Sequence, residues 1–223
     1  MVIKNNKGKF MGRKERRLRD QQELKQSILE AARTIALAEG WSNVTMRKIA
    51  DRIEYSHAAI YGYFENKDVL LIELVHEGFR LLEADMRRAR AQARDPEDAL
   101  RLIAHGYLGF AWRYPELYRL MYGLDGVTFS ISEPEKEGLQ IEDVAALTVK
   151  DVLDSHGWST EHLADQVNIL WATAHGLVTL TLAGRIRGGQ AQAIHLFERA
   201  IQDMLLAWEY EAGIAHPTPL PNA

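Results

Sequence analysis

Apolar residues along this chain recur by threes and fours, with no sustained alternation that would mark a strand. Leu24, Ile28, Ala31, Ala32 and Ile35 make the first helical stripe, which Gly40 is placed to end. Within about twenty residues, three polar positions then offer a side-chain oxygen to a backbone N–H two or three residues on: Thr45, Ser56 and Asn66. Three capped starts so close together force short helices with sharp corners, and Ile49, Ala50, Ile53, Ile60 and Phe64 supply the apolar spots between them. The pattern predicts a helix-turn-helix.

Longer elements follow. Leu71, Leu74, Val75, Phe79, Leu82, Met86 and Ala89 predict one helix from Lys67 to about Ala93. Asp95-Pro96 restarts the chain with proline at the first helical position, Tyr114-Pro115 breaks that helix, and a short helix runs on to about Tyr122. Residues 123–134, with Asp125, Gly126, Ser130 and Ser132, read as a turn-rich loop. Ile141, Val144, Val149, Val152 and Leu153 mark the next helix, closed near Gly157. Ser159 or Thr160 is expected to cap another that runs to about Gly184; being apolar nearly all round, it should be buried on several sides. The last helix spans about Gln190 to Tyr210, and the Pro-rich end from His216 reads as a loose tail. The expected fold class is all-α. Its parts are a flexible basic arm (1–20), a three-helix helix-turn-helix domain (21–66), a connecting helix (67–93), a larger helical domain (94–214) and a tail (215–223).

Composition narrows the class. With 223 residues, 47% of them hydrophobic, the chain can bury a substantial core. It has no cysteine, which excludes disulfides and thiolate metal sites and suits a reducing compartment. No apolar run reaches the roughly 20 residues that span a bilayer, and no signal-peptide core opens the chain, so the expectation is a cytoplasmic protein without a membrane partner. The net charge of −4 hides an asymmetry: residues 1–67 carry 14 Lys and Arg against 8 Asp and Glu, leaving 13 against 23 beyond them. A basic end on an acidic body suits a head that grips a polyanion.

The residues around the predicted turn fit duplex DNA. Ser56, His57 and Ala58, at the start of the second short helix, suit base edges in the major groove, the first two as donors or acceptors and the third by its methyl. Arg47 is placed for guanine or a phosphate, and Thr45 and Lys48 share its helix start. Tyr61, Tyr63 and Lys67 suit backbone phosphates, and Gly62 would allow close approach. No phosphate-cradling glycine loop, zinc-binding His pair or nucleophile elbow is present, so neither a metal nor another cofactor is expected and the chain does not read as an enzyme.

Thr45, Ile49-Ala50, Ile60-Tyr61, Phe64 and Lys67, followed by Leu70-Leu71, stand in an order that resembles the TetR family of transcriptional regulators over roughly residues 22 to 80. One departure is Glu54-Tyr55-Ser56, where the family usually has Gly before a small apolar residue and Ser; a left-handed Glu54 would cost about 1–2 kcal/mol. Phe110 to Gly123 and Leu170 to Arg185, with Trp171, His175 and Gly176, resemble the ligand-binding domain of the subgroup named for its Trp-His-Gly motif. The resemblance implies an all-helical effector-binding and dimerisation domain, and a homodimer paired through the last two long helices. His105, Trp112, Tyr118, Met121, Tyr122, Trp171 and His175 are the expected lining of an effector cavity. The function implied is a ligand-responsive DNA-binding regulator, a repressor released from a near-palindromic double-stranded operator by an unknown small molecule. The alternatives are a helical DNA-binding dimer regulated without such an effector, and an all-α enzyme.

Overall fold

The computed structural model describes residues 12–124, 126 and 135–213. Lys4, Lys7 and Lys9 of the basic arm, Asp125, Ser130 and Ser132 of the loop, and the tail from His216 lie outside the described residues. All regular elements among those described are helical. They divide into two compact units at Leu74–Val75, inside the helix expected as a connector.

In the first unit, α1 (Arg13–Glu39) starts earlier than the sequence pattern suggests, so residues 13–20 are helix rather than arm. Few buried side chains hold that extension; local contacts do. The Glu15 carboxylate accepts from the Gly12 N–H at 3.1 Å, and Arg19 pairs with Glu23 one turn on at 3.4 Å. From Ile28 onward the helix is anchored by buried Ile28, Leu29, Ala32 and Ile35. Gly40 turns the chain with φ +83° into a 3₁₀ turn (Trp41–Asn43) that seats the Trp41 ring in the core, fully buried. Then come α2 (Met46–Arg52), α3 (His57–Tyr61) and the start of α4 (Lys67–Arg90). The three expected caps are in place: the side chains of Thr45, Ser56 and Asn66 accept from the N–H groups of Lys48, Ala59 and Val69 at 3.2, 3.2 and 3.0 Å.

The second unit comprises Val75–Arg90 of α4, α5 (Pro96–Arg113), α6 (Pro115–Met121), α7 (Glu135–His156), α8 (Leu163–Leu182) and α9 (Gly189–Glu211). Asp95 caps α5 through the Asp98 N–H at 2.7 Å, with Pro96 in the first turn. α5 is the hub, packing against α6, α7, α8 and α9 through buried Leu100, Ile103, Ala104, Tyr107, Leu108, Phe110 and Ala111.

Two expectations for α8 need correction. Ser159 and Thr160 do not cap it: the Ser159 hydroxyl accepts from Glu161 N–H in a local turn, and the helix begins at Leu163 after His162. Nor is it buried on several sides in the single chain. Val167, Leu170, Ala174 and Val178 are covered, but Ile169, Trp171 and Leu180 are about half exposed at 56%, 46% and 47%. No helix among the described residues is long and apolar enough to cross a membrane.

Candidate nucleic-acid interface and ligand cavity

The turn between α2 and α3 is built by the backbone. Ile53 N–H donates to Ile49 O, and Tyr55 N–H reaches back to Ala50 O at 3.0 Å, the six-to-one closure that ends a helix through a left-handed residue. That residue is Glu54, with φ +60°, the left-handed geometry a glycine would adopt freely. Ile60 and Phe64 are buried and fix α3 to the core. Ser56, His57, Ala58, Tyr61 and Gly62 are consequently exposed together, with Tyr63 half-buried beside them. Gly62 has an ordinary φ of −70°; a Cβ there would sit 3.2 Å from the Ala59 carbonyl oxygen, so crowding within its own turn already disfavours a side chain.

The basic residues divide. Arg47 is exposed, its guanidinium 3.8 Å from Asp51 one turn on, a weak surface pair that leaves it available. The Lys48 ammonium lies 2.6 Å from the Glu39 carboxylate at the end of α1. Lys67, expected at a phosphate, has a partner within the chain. Its ammonium donates to the Trp41 carbonyl at 2.9 Å, partly withdrawn from water, and burial lowers its pKa, with Asp68 opposing. It ties α4 to the 3₁₀ turn. Tyr55 and Arg52, not among the expected contacts, are also exposed on this unit; solvent-facing aromatic and cationic side chains beside a helix-turn-helix were the signal.

The second unit contains a partly open cavity of about 270 Å³. Phe79 and Met86 of α4, Ile103, Ala104 and Tyr107 of α5, Tyr122, and Ile141, Glu142 and Ala145 of α7 line it. Val167, Asn168, Leu170, Trp171 and Ala174 of α8 and Phe197 of α9 complete the wall. Of the expected lining only Tyr122 and Trp171 reach it. Tyr118 and His175 stand behind the wall, Met121 packs where a Cβ on Gly78 of α4 would meet its sulfur at 2.5 Å, and His105 is turned outward to Glu198 at 3.1 Å. Trp112 does not line the cavity; its indole N–H is buried without a hydrogen bond. Helical geometry explains the sorting. Ile103, Ala104 and Tyr107 share the inward face of α5, and His105 falls off it.

Behind that wall runs a chain of hydroxyls. His175 Nδ1 lies 2.7 Å from the Tyr118 hydroxyl, Tyr118 is 3.0 Å from Tyr107, and Tyr107 donates to Tyr122 at 3.2 Å. Each phenol has one proton, so Tyr107 must accept from Tyr118, and Tyr118 from an Nδ1–H of His175. Burial pushes the pKa of all three tyrosines up and that of His175 down, so every member is neutral. The Tyr122 ring lies tilted against that of Trp171, centroids 6.4 Å apart. The O–H of Tyr122, on the cavity wall, is left as the outlet donor.

Two family descriptions match the chain and together span more than half of it. Residues 28–74 match the bacterial regulatory proteins of the tetR family, ending where the first unit ends. Residues 100–204 match the tetracyclin repressor-like C-terminal domain, within the second unit. The chain belongs to the TetR family. The nucleoid occlusion factor SlmA of Vibrio vulnificus (strain YJ016) is 34% identical over 103 residues, 44% of this chain and 51% of SlmA. The HTH-type transcriptional regulator Rv0681 of Mycobacterium tuberculosis (strain ATCC 25618 / H37Rv) is 24% identical over 164 residues, 72% of this chain and 71% of that protein. A Rhodococcus sp. RHA1 protein of unknown function shares the fold at TM-score 0.74 and 22% identity, over 91% of this chain and 99% of its own. The chain spans about half the length of the SlmA relatives it matches. Glu54 is the one non-glycine residue with a positive φ among the described residues. In the second unit, Tyr107 is among the cavity-lining residues that sequence reasoning missed: at helical spacing among Ile103, Ala104 and Leu108 it reads as plain core.

Proposed function

We propose that this TetR-family chain is a DNA-binding transcriptional repressor whose grip on a near-palindromic operator is released by a small molecule in the second unit. The observation that carries the DNA reading is the exposed row Ser56, His57, Ala58 and Tyr61 on a helix whose opposite face is locked by Ile60 and Phe64. Such a face enters the major groove with its first residues at base edges, and Arg47 and Tyr63 flank it for phosphates. Thr45 and Ser56 lend their oxygens to the caps and keep their hydroxyl protons to donate. Lys48 and Lys67 enter the proposal as weaker contacts, because Glu39 and Trp41 already engage them.

Two heads need a dimer. The apolar residues left uncovered on α8 and α9 support one: Ile169, Trp171 and Leu180 on the first, Leu206 (61% exposed) and Tyr210 (60%) on the second. Release needs a lever. α4 is one unbroken helix from Lys67 to Arg90, and a molecule touching Phe79 and Met86 presses on the element whose first turns belong to the DNA-binding unit. A ligand shifts the equilibrium only by as much as it prefers one setting of that helix.

The test is selection of duplexes from a random pool by the full chain, followed by binding of His57→Ala to the selected duplex and to its single-base variants. The proposal expects near-palindromic duplexes and an altered base preference. Equal losses on every variant would remove His57 from the base-reading set.

A further inference from the structure

The walls of the cavity select a kind of molecule. Five aromatic side chains face it, Phe79, Tyr107, Tyr122, Trp171 and Phe197, and at about 270 Å³ it lies near the small end of ligand pockets, about 300–1,000 Å³. Flat rings pack on such walls edge to face or offset, with centroids about 4.5–7 Å apart. The polar groups are few and directional. The Tyr122 oxygen accepts from Tyr107 and its proton has no assigned acceptor, so this hydroxyl is a free hydrogen-bond donor on the wall; the exposed Asn168 amide is a further polar group of the lining. Among the described lining residues the only charged group is the exposed Glu142 carboxylate, which repels an anion.

We propose that the cavity takes an uncharged, compact aromatic molecule bearing one hydrogen-bond acceptor, a carbonyl or equivalent oxygen, which receives the Tyr122 O–H, and that it discriminates against carboxylates of the same skeleton. This ligand class rests on the reading of the cavity as the regulatory site. Tyr107, Tyr118 and His175 act as positioning residues: the His175 Nδ1–H sets the direction of the hydroxyl chain and so leaves the Tyr122 proton free to donate. Burial of the chain keeps all four groups neutral, so the site has no cation of its own to meet an acid.

Three probes share one bicyclic ring: 2-acetylnaphthalene with a neutral acceptor, 2-ethylnaphthalene with none, and 2-naphthoate with an anionic one. Calorimetry on the full-length chain should rank the ketone about fivefold above the hydrocarbon, the worth of one hydrogen bond, and at least about tenfold above the carboxylate. Tyr122→Phe should bring the ketone down to the hydrocarbon and leave the hydrocarbon unchanged, a result that loss of packing would not give. A carboxylate bound as tightly as the ketone, equal losses of ketone and hydrocarbon in Tyr122→Phe, or no binding of any probe would each overturn the ligand class. The selected duplex separates this from the regulatory reading. A ketone that binds as expected but leaves the DNA complex intact supports the ligand class and retires the regulatory role. A preference for the carboxylate together with release does the reverse.

Discussion

Glu54 is where local chemistry and fold disagree most openly. Its left-handed φ of +60° costs an ordinary side chain about 1–2 kcal/mol, while glycine there would forfeit about 0.5–1 kcal/mol of unfolded-state entropy. Strain is the larger effect, so Glu54→Gly should stabilise the chain by about 0.5–1 kcal/mol in urea denaturation; a loss of stability would show that the Glu54 side chain contributes something the turn geometry does not reveal. Lys67 makes the opposite case, a residue whose motif points outward while its ammonium points in. Removing a charged donor from the Trp41 carbonyl should make Lys67→Met less stable by about 1–3 kcal/mol. Unchanged stability with a salt slope of DNA binding shallower by about one unit would return Lys67 to the phosphate contacts. His175 adds a pH signature. Burial holds its pKa below the ordinary 6.5, so just under that pH the unfolded chain binds more protons than the folded one. Its contribution is complete above 6.5 and declines as pH falls through the window beneath. Urea midpoints should therefore drop more steeply from pH 7 to pH 5 in the wild type than in His175→Gln, and parallel profiles would show that His175 is not buried neutral.

At the scale of elements, α4 and α6 meet at a point where a glycine matters. A Cβ on Gly78 would fall 2.5 Å from the Met121 sulfur, yet alanine is favoured over glycine inside a helix by about 1 kcal/mol. These effects separate in a double-mutant cycle: Gly78→Ala should gain about 1 kcal/mol in a Met121→Ala background and less, or nothing, beside Met121. Additive changes would mean that the two helices do not bear on each other there. Elements were well read from sequence wherever a cap or a proline stated the boundary, as at Thr45, Ser56, Asn66 and Asp95-Pro96, because each is a local backbone requirement met by a local side chain. Residues 13–20 and the start of α8 were read less well. In the first, a Glu15 cap and the Arg19–Glu23 surface pair hold a helix that buries almost nothing; in the second, the Ser159 oxygen is engaged in a turn. The cavity was least legible, since Tyr107 and Phe197 have the spacing of core residues and their exposure to a void depends on which neighbours fail to fill it.

Over the whole molecule, charge and apolar surface are distributed for two different tasks. Residues 1–67 are net basic and the remainder net acidic, while α8 and α9 leave Leu180, Leu206 and Tyr210 uncovered. The double substitution Leu180→Glu with Leu206→Glu should give a folded monomer by sedimentation and weaken DNA binding at least about tenfold, since one head then faces one half-site; a dimer that persists would move the interface elsewhere. The central claim, that the first unit reads duplex DNA through α3, is tested most directly by the binding constant of the full chain for its selected duplex as a function of salt. The account predicts a linear fall of log K with log salt and an affinity far above that for scrambled duplex at every salt concentration. Equal affinity for selected and scrambled duplex, or no binding at low salt, would contradict it.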